Sequence, residues 1–207
     1  SEFALTRSPH HDHVVRAFSF EVDTALQVAF FTMEVMPGLT LDRLLQECPQ
    51  GLPWQELQPM ALQLLEALAY THRQGVLHGD VKPANIMVGE QGLRLFDFGL
   101  GHAQAQAEAG LPALSRNRLN AWTPAYAAPE LIAGGLPSAS ADLYGAARVL
   151  YEMAEGRRPV EPQRNQRLPR PRQLPRQYWP LLRSALAIDP EQRTVDVAEL
   201  CEGLAAR

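Results

Sequence analysis

The chain has 207 residues, 46% hydrophobic and 20% charged, with a formal net charge of −4. That balance belongs to a globular fold with a core of its own and excludes a low-complexity or disordered polymer. It gives no general pull toward nucleic acid or an anionic membrane, and no apolar run approaches the ~20 residues that span a bilayer. Cys48 and Cys201 are the only cysteines, in neither CxxC nor metal-ligand spacing, so reduced thiols in a cytoplasmic protein are expected.

In chain order, Ser1-Glu2-Phe3 stands without an initiator methionine and reads as a vector scar, with native sequence from about Ala4. Residues 13–20 (HVVRAFSF) and 26–35 (LQVAFFTMEV) predict two strands of a hairpin around the polar stretch Glu21–Ala25. Pro37-Gly38 punctuates the chain, and Leu41, Leu44 and Leu45 predict a short helix capped by Thr40. A long helix follows, with Pro53 at its first position. Its apolar residues Leu57, Met60, Ala61, Leu64, Leu65 and Leu68 recur at three- and four-residue steps, and Gly75 suits its C′ position.

Two short strands, near 86–88 and 93–96, bracket a turn at Gly89–Gly92. Residues 100–126 show no sustained period and predict a long loop. Leu143, Ala146, Ala147, Leu150, Tyr151 and Ala154 predict a helix over about 140–155, apolar over so wide an arc that it belongs inside. The arginine- and proline-rich stretch 157–177 argues against regular structure, and helices near 178–187 and 195–205 close the chain.

The chemistry concentrates between the long helix and the long loop. Transfer of a phosphoryl group needs a carboxylate to orient the nucleophile and cations to absorb charge on the phosphates. Asp80 is the candidate base, and Lys82, two residues on in an extended loop, projects to the same side. Asn85 and Asp97 offer the hard oxygen donors that magnesium prefers.

HGDVKPAN (78–85) resembles the catalytic loop of Ser/Thr protein kinases. In the same order as in that family, DFG (97–99) resembles the metal loop and WTPAYAAPE (122–130) the substrate-binding segment. SASADLYGAARVLYEM (138–153) resembles the buried central helix, and IDPEQR (188–193) the closing motif. The resemblance runs from about residue 10 to the C-terminus. It implies an α+β, protein-kinase-like fold, with a partial N-lobe over 4–36 and a mainly helical C-lobe over 37–207. It further implies ATP and Mg2+ as cofactors and a protein with serine or threonine as phosphate acceptor.

By the same resemblance, Asp80 is the base, Lys82 contacts the γ-phosphate, Asn85 and Asp97 hold magnesium, and Thr123 hydrogen-bonds the Asp80–Lys82 pair. FFTMEVMPG resembles the fifth strand and hinge, so Met33 takes the gatekeeper place. Glu34 and Met36 offer backbone groups to the adenine edge, and Met87 forms the floor beneath it. Arg193 is expected to meet Glu130. His10, His11 and His13 fall at a turn of the fold, which disfavours a metal role.

Some positions depart from the family pattern. Gly79 stands where most protein kinases carry an arginine that receives an activating phosphate, which implies an enzyme independent of that switch. A glycine-rich loop, a strand lysine and its glutamate have no candidates upstream, and Lys82 is the only lysine in the chain. These residues alone are therefore expected to be nearly inactive, and the exposed hairpin edge invites self-association. A pseudokinase or lid-less scaffold is the alternative. A lesser one is a small-molecule kinase of the aminoglycoside or choline type, which shares HGD but lacks Lys-Pro, DFG and APE. The stretch 157–177 reads either as a solvated loop or as a basic groove for acidic partners.

Overall fold

The computed structural model describes residues 11–23, 28–96, 124–158, 160 and 168–206. Strands β1 (Ala17–Asp23) and β2 (Val28–Met33) pair antiparallel, with Phe20 opposite Phe31 and Asp23 opposite Val28. A second sheet has the order β3 (Leu39–Thr40), β4 (Ile86–Gly89) and β5 (Gly92–Leu95), all antiparallel. Helices α1 (Leu41–Gln46), α2 (Trp54–Arg73), α3 (Pro129–Ile132), α4 (Ala139–Glu155), α5 (Trp179–Ala185) and α6 (Val197–Ala205) form the bulk of the molecule.

Helix α2 is the scaffold on which the rest is laid. Its stripe of Leu57, Ala61, Leu64, Leu65 and Leu68 is fully buried, and the helix packs against α6, α4 and β5. Each such leucine contributes about 2 kcal/mol of burial free energy. The helix stops as its last carbonyls are taken up: Gly75 N–H donates to His72 O and Val76 N–H to Thr71 O, a Schellman closure with Gly75 at φ +74°. Helix α4 is buried along its whole middle, from Ala141 to Ala154, and starts where Ser138 Oγ accepts the Ala141 N–H at 3.0 Å. Helix α6 opens with a capping box between Asp196 and Glu199.

Several expectations need correction. The run 13–20 is not one strand. His13–Val15 form an isolated parallel bridge at Val14 to Leu95, and β1 begins at Ala17 and absorbs Glu21–Asp23. The backbone of His13 and Val15 instead pairs with the β5 edge, through the Leu95 N–H to His13 O and Val15 N–H to Leu95 O bonds. Thr40 does occupy the N-cap of α1, but its hydroxyl makes no cap bond; the residue ends β3 opposite Met87. Pro53 lies one residue before α2, as its N-cap.

Among the described residues of 157–177, a 3-10 turn (Arg176–Tyr178) begins at the end of the stretch and leads directly into α5. The predicted scar at 1–3, His10 and most of the loop 100–126 lie outside the described residues. Among the described residues, no helix is long and apolar enough to cross a membrane.

Candidate active site

The loop 76–85 leaves α2 and returns to β4 over the buried flank of α4. What holds it there is Asp142, itself 3% exposed. Its carboxylate accepts three N–H groups, each at 2.8 Å: Oδ2 from the His78 backbone and from His72 Nε2, and Oδ1 from the Gly79 backbone. A buried carboxylate is tolerable only when so fully satisfied, and here the satisfaction doubles as placement of the loop.

His78 does the same on the other side. Its Nδ1 accepts the Asp80 N–H at 3.1 Å, so its proton sits on Nε2, which donates to Phe96 O at 2.8 Å. Phe96 N–H in turn donates to Asn85 O. The loop is thereby tied to the last described residue before Asp97.

Gly79 has φ +81°, a region in which side-chain-bearing residues are strained, although a Cβ there would meet nothing within 4 Å. Space would admit a larger residue; the backbone favours glycine.

At the loop's outer face, three predicted residues come together. Lys82 Nζ lies 2.5 Å from Asp80 Oδ2. Asn85, buried at 6%, donates through Nδ2 to Asp80 O at 2.9 Å and to Asp80 Oδ2 at 3.2 Å. Both amide hydrogens of Asn85 are thus directed at Asp80, which leaves its Oδ1 as the oxygen available to a cation. That donor chemistry fits magnesium. Asp97 and Thr123 lie outside the described residues.

The predicted hinge flanks this loop. Met33 ends β2, at 37% exposure, and Met87 sits in β4 opposite Thr40. Glu34 N–H donates to Arg16 O, and its side chain accepts from Arg16 N–H at 2.8 Å and meets Arg94 at 3.3 Å. Pro37-Gly38 presses on the β4–β5 turn backbone to backbone. A Cβ on Gly38 would stand 2.3 Å from Val88 O, and one on Gly89 would stand 2.5 Å from Pro37 O.

Beyond the loop, Arg193 meets Glu130 as expected, in a two-pronged pair at 2.5 and 2.8 Å. Burial alone would raise the Glu130 carboxyl, but the Arg193 hydrogen bonds win and hold it below the ordinary value. Tyr126 OH donates to Glu152 in a very short bond. Burial pushes both the Tyr126 phenol and the Glu152 carboxyl upward. The His11 ring lies tilted against Tyr70 with centroids 4.9 Å apart and His13 Nδ1 meets Leu93 O at 2.9 Å, so these histidines fasten the N-terminal segment to α2 and β5.

Sequence reading did not single out His72, Arg148 or Glu152. A signal existed: His72 falls four residues after Leu68, on the buried stripe of α2. Arg148 and Glu152 interrupt the apolar middle of α4 one turn apart.

A sequence profile for the protein kinase domain matches residues 1–202. The chain is 32% identical to the serine/threonine-protein kinase PkaA of Streptomyces coelicolor, over 88% of this chain and 35% of that protein. It is 34% identical to a probable serine/threonine-protein kinase, PknB, of Bifidobacterium longum, over 68% of this chain and 20% of that one. In structure it is similar to the PknI kinase domain of Mycobacterium tuberculosis, with a TM-score of 0.73 and 25% identity. That likeness covers 96% of this chain and 73% of the other. The chain thus spans about a third or less of these two curated relatives.

Proposed function

The chain belongs to the protein kinase family, with serine/threonine kinases as its relatives, and from that premise we propose that its parent protein transfers the γ-phosphate of ATP to serine or threonine of a protein. The observation that carries the reading is the joint placement of Asp80, Lys82 and Asn85 on a loop pinned by Asp142.

Asp80 accepts the proton of the attacking hydroxyl. Lys82 moves from Asp80 to the incoming phosphate as a point charge. Asn85 Oδ1 and Asp97 would hold magnesium, which when bound would neutralise charge on the phosphate oxygens. Glu34 and Met36 would offer backbone groups to the adenine, with Met33 in the gatekeeper place and Met87 as the floor beneath the ring. Thr123 steadies the Asp80–Lys82 pair; Ala125 and Tyr126, just beyond it, are themselves held on α4.

Gly79 supports independence from the arginine-borne phosphate switch. Lys82 is the only lysine and belongs to the catalytic loop, so no strand lysine is present to meet the α- and β-phosphates and we expect little turnover from the 207 residues alone. The free thiols Cys48 and Cys201 suit a reducing compartment such as the cytoplasm.

The test is transfer of labelled γ-phosphate to a serine peptide by the full gene product. Asp80→Asn should cut the rate by about 10²–10⁴-fold. Equal rates for the two proteins would sink the proposal, and so would undiminished activity of Asp97→Ala. Phosphatase pretreatment should leave the wild-type rate unchanged; a large drop would remove the reading of Gly79.

A further inference from the structure

A charged side chain sits at the centre of α4, where nothing in the reaction just described uses it. Arg148 is 0% exposed and surrounded along the helix by buried residues. Placing a guanidinium there carries a desolvation penalty that an apolar side chain of the same volume would not. No carboxylate is bonded to it among the described residues. Instead Nε donates to Ala125 O at 2.8 Å and Nη2 to Val160 O at 2.5 Å, while Nη1 is buried with no partner among the described residues. Such an arrangement is poor as a stability device. It is effective as a geometric one, because a planar, rigid fork fixes both acceptors relative to the helix.

The two acceptors belong to separate pieces of chain. Ala125 lies in the segment leading to α3, and Val160 lies just after α4. One helical turn beyond Arg148, Glu152 accepts the hydroxyl of Tyr126, the very next residue of the same segment. Two consecutive residues are therefore held by two successive turns of α4, one through its main chain and one through its side chain.

We propose that Arg148 is a positioning residue that fixes the substrate-binding segment at Ala125 and couples it to the loop after α4 at Val160. Naming that segment substrate-binding rests on the kinase reading; the strut itself does not. A displacement of the loop at Val160 is transmitted to Ala125 through one inflexible group.

The test is amide hydrogen exchange on the 207-residue chain, with Arg148→Met and Arg148→Lys beside wild type. The methionine variant should speed exchange across 125–128 and around 160 by tenfold or more, with α2 (Trp54–Arg73) unchanged. Lysine, a single ammonium, should restore only part of the protection. Unchanged exchange at 125–128, or an equal rise throughout α2 and α4, would overturn the proposal. If the methionine variant does not fold, the lysine variant carries the same test: a local rise supports the strut and a uniform rise overturns it.

In the full gene product, Arg148→Met should raise KM for the peptide about tenfold with KM for ATP unchanged. Absence of phosphoryl transfer in wild type would count against the kinase reading and leave the exchange result standing.

Discussion

The two halves of the candidate site are held in different ways. The loop 76–85 hangs from buried groups: Asp142 with three donors, the His78 ring between Asp80 and Phe96, and Asn85 clasping Asp80. The hinge side belongs to a two-stranded hairpin whose ends carry Phe18 at 56% and Val35 at 95% exposure. Its described ties to the body include the His13 and Val15 bonds to Leu95 just before β1, the Glu34 contact to Arg94, and the chain's own continuation through Pro37. Buried, saturated hydrogen bonds make one half rigid by itself. The other half depends on what covers it, because a two-stranded ribbon is marginal in water.

The sharpest way to break the rigid half is at its rim. Glu130→Ala strips the carboxylate from Arg193, whose side chain is 1% exposed, and should cost about 3–5 kcal/mol in urea denaturation. The pH sign follows from the lowered Glu130 carboxyl. The pair's contribution is complete above the ordinary carboxylate range, and it is lost only as pH falls through the lower folded value. The gap between wild type and Glu130→Gln should therefore persist at pH 5 and close only in stronger acid.

Next in size, Asp142→Ala leaves the His78 and Gly79 N–H groups without their acceptor. It should destabilise by about 2–3 kcal/mol. Exchange at 78–80 should rise while the hairpin amides stay as they were; an equal rise in both would erase the distinction between the halves.

Tyr126→Phe should cost about 1–2 kcal/mol at neutral pH, since Glu152 stays buried without its donor. Burial raises the Glu152 carboxyl, so its charge is a liability above its folded value and is relieved by protonation earlier than in an ordinary glutamate. That deficit should shrink as pH falls, opposite in trend to a variant that loses a stabilising carboxylate.

The smallest effect is expected on the hairpin side. Glu34→Gln should change global stability by no more than about 0.5 kcal/mol, because the groups it meets are partly exposed. It should nevertheless quicken exchange in β1 and β2. A loss as large as that of Asp142→Ala would show the hairpin to be integral to the core.

These differences also explain what could be read beforehand. Periodicity located α2 and α4 nearly to the residue, because burial of a stripe is a local pattern. The Arg193–Glu130 pair was legible only through the resemblance to the protein kinase motifs, which also gave the Asp80–Lys82–Asn85 cluster its roles. The fate of His13–Val15 was not, since it depends on an open edge of β5 that lies far along the chain. Arg148 was passed over because its acceptors are main-chain carbonyls, which leave no trace in side-chain identity. His72 was visible in principle, as a polar residue in register with buried leucines.

The contact between Pro37-Gly38 and Val88-Gly89 has a genetic consequence. Each glycine faces a carbonyl oxygen that every residue type possesses, so no substitution at the partner position can make room for a side chain. A lesion at Gly38 or Gly89 should therefore find no suppressor at the contact itself. Revertants should restore glycine or arise elsewhere, through general gains in stability. The two positions should behave as fixed points in any selection that otherwise lets the chain drift.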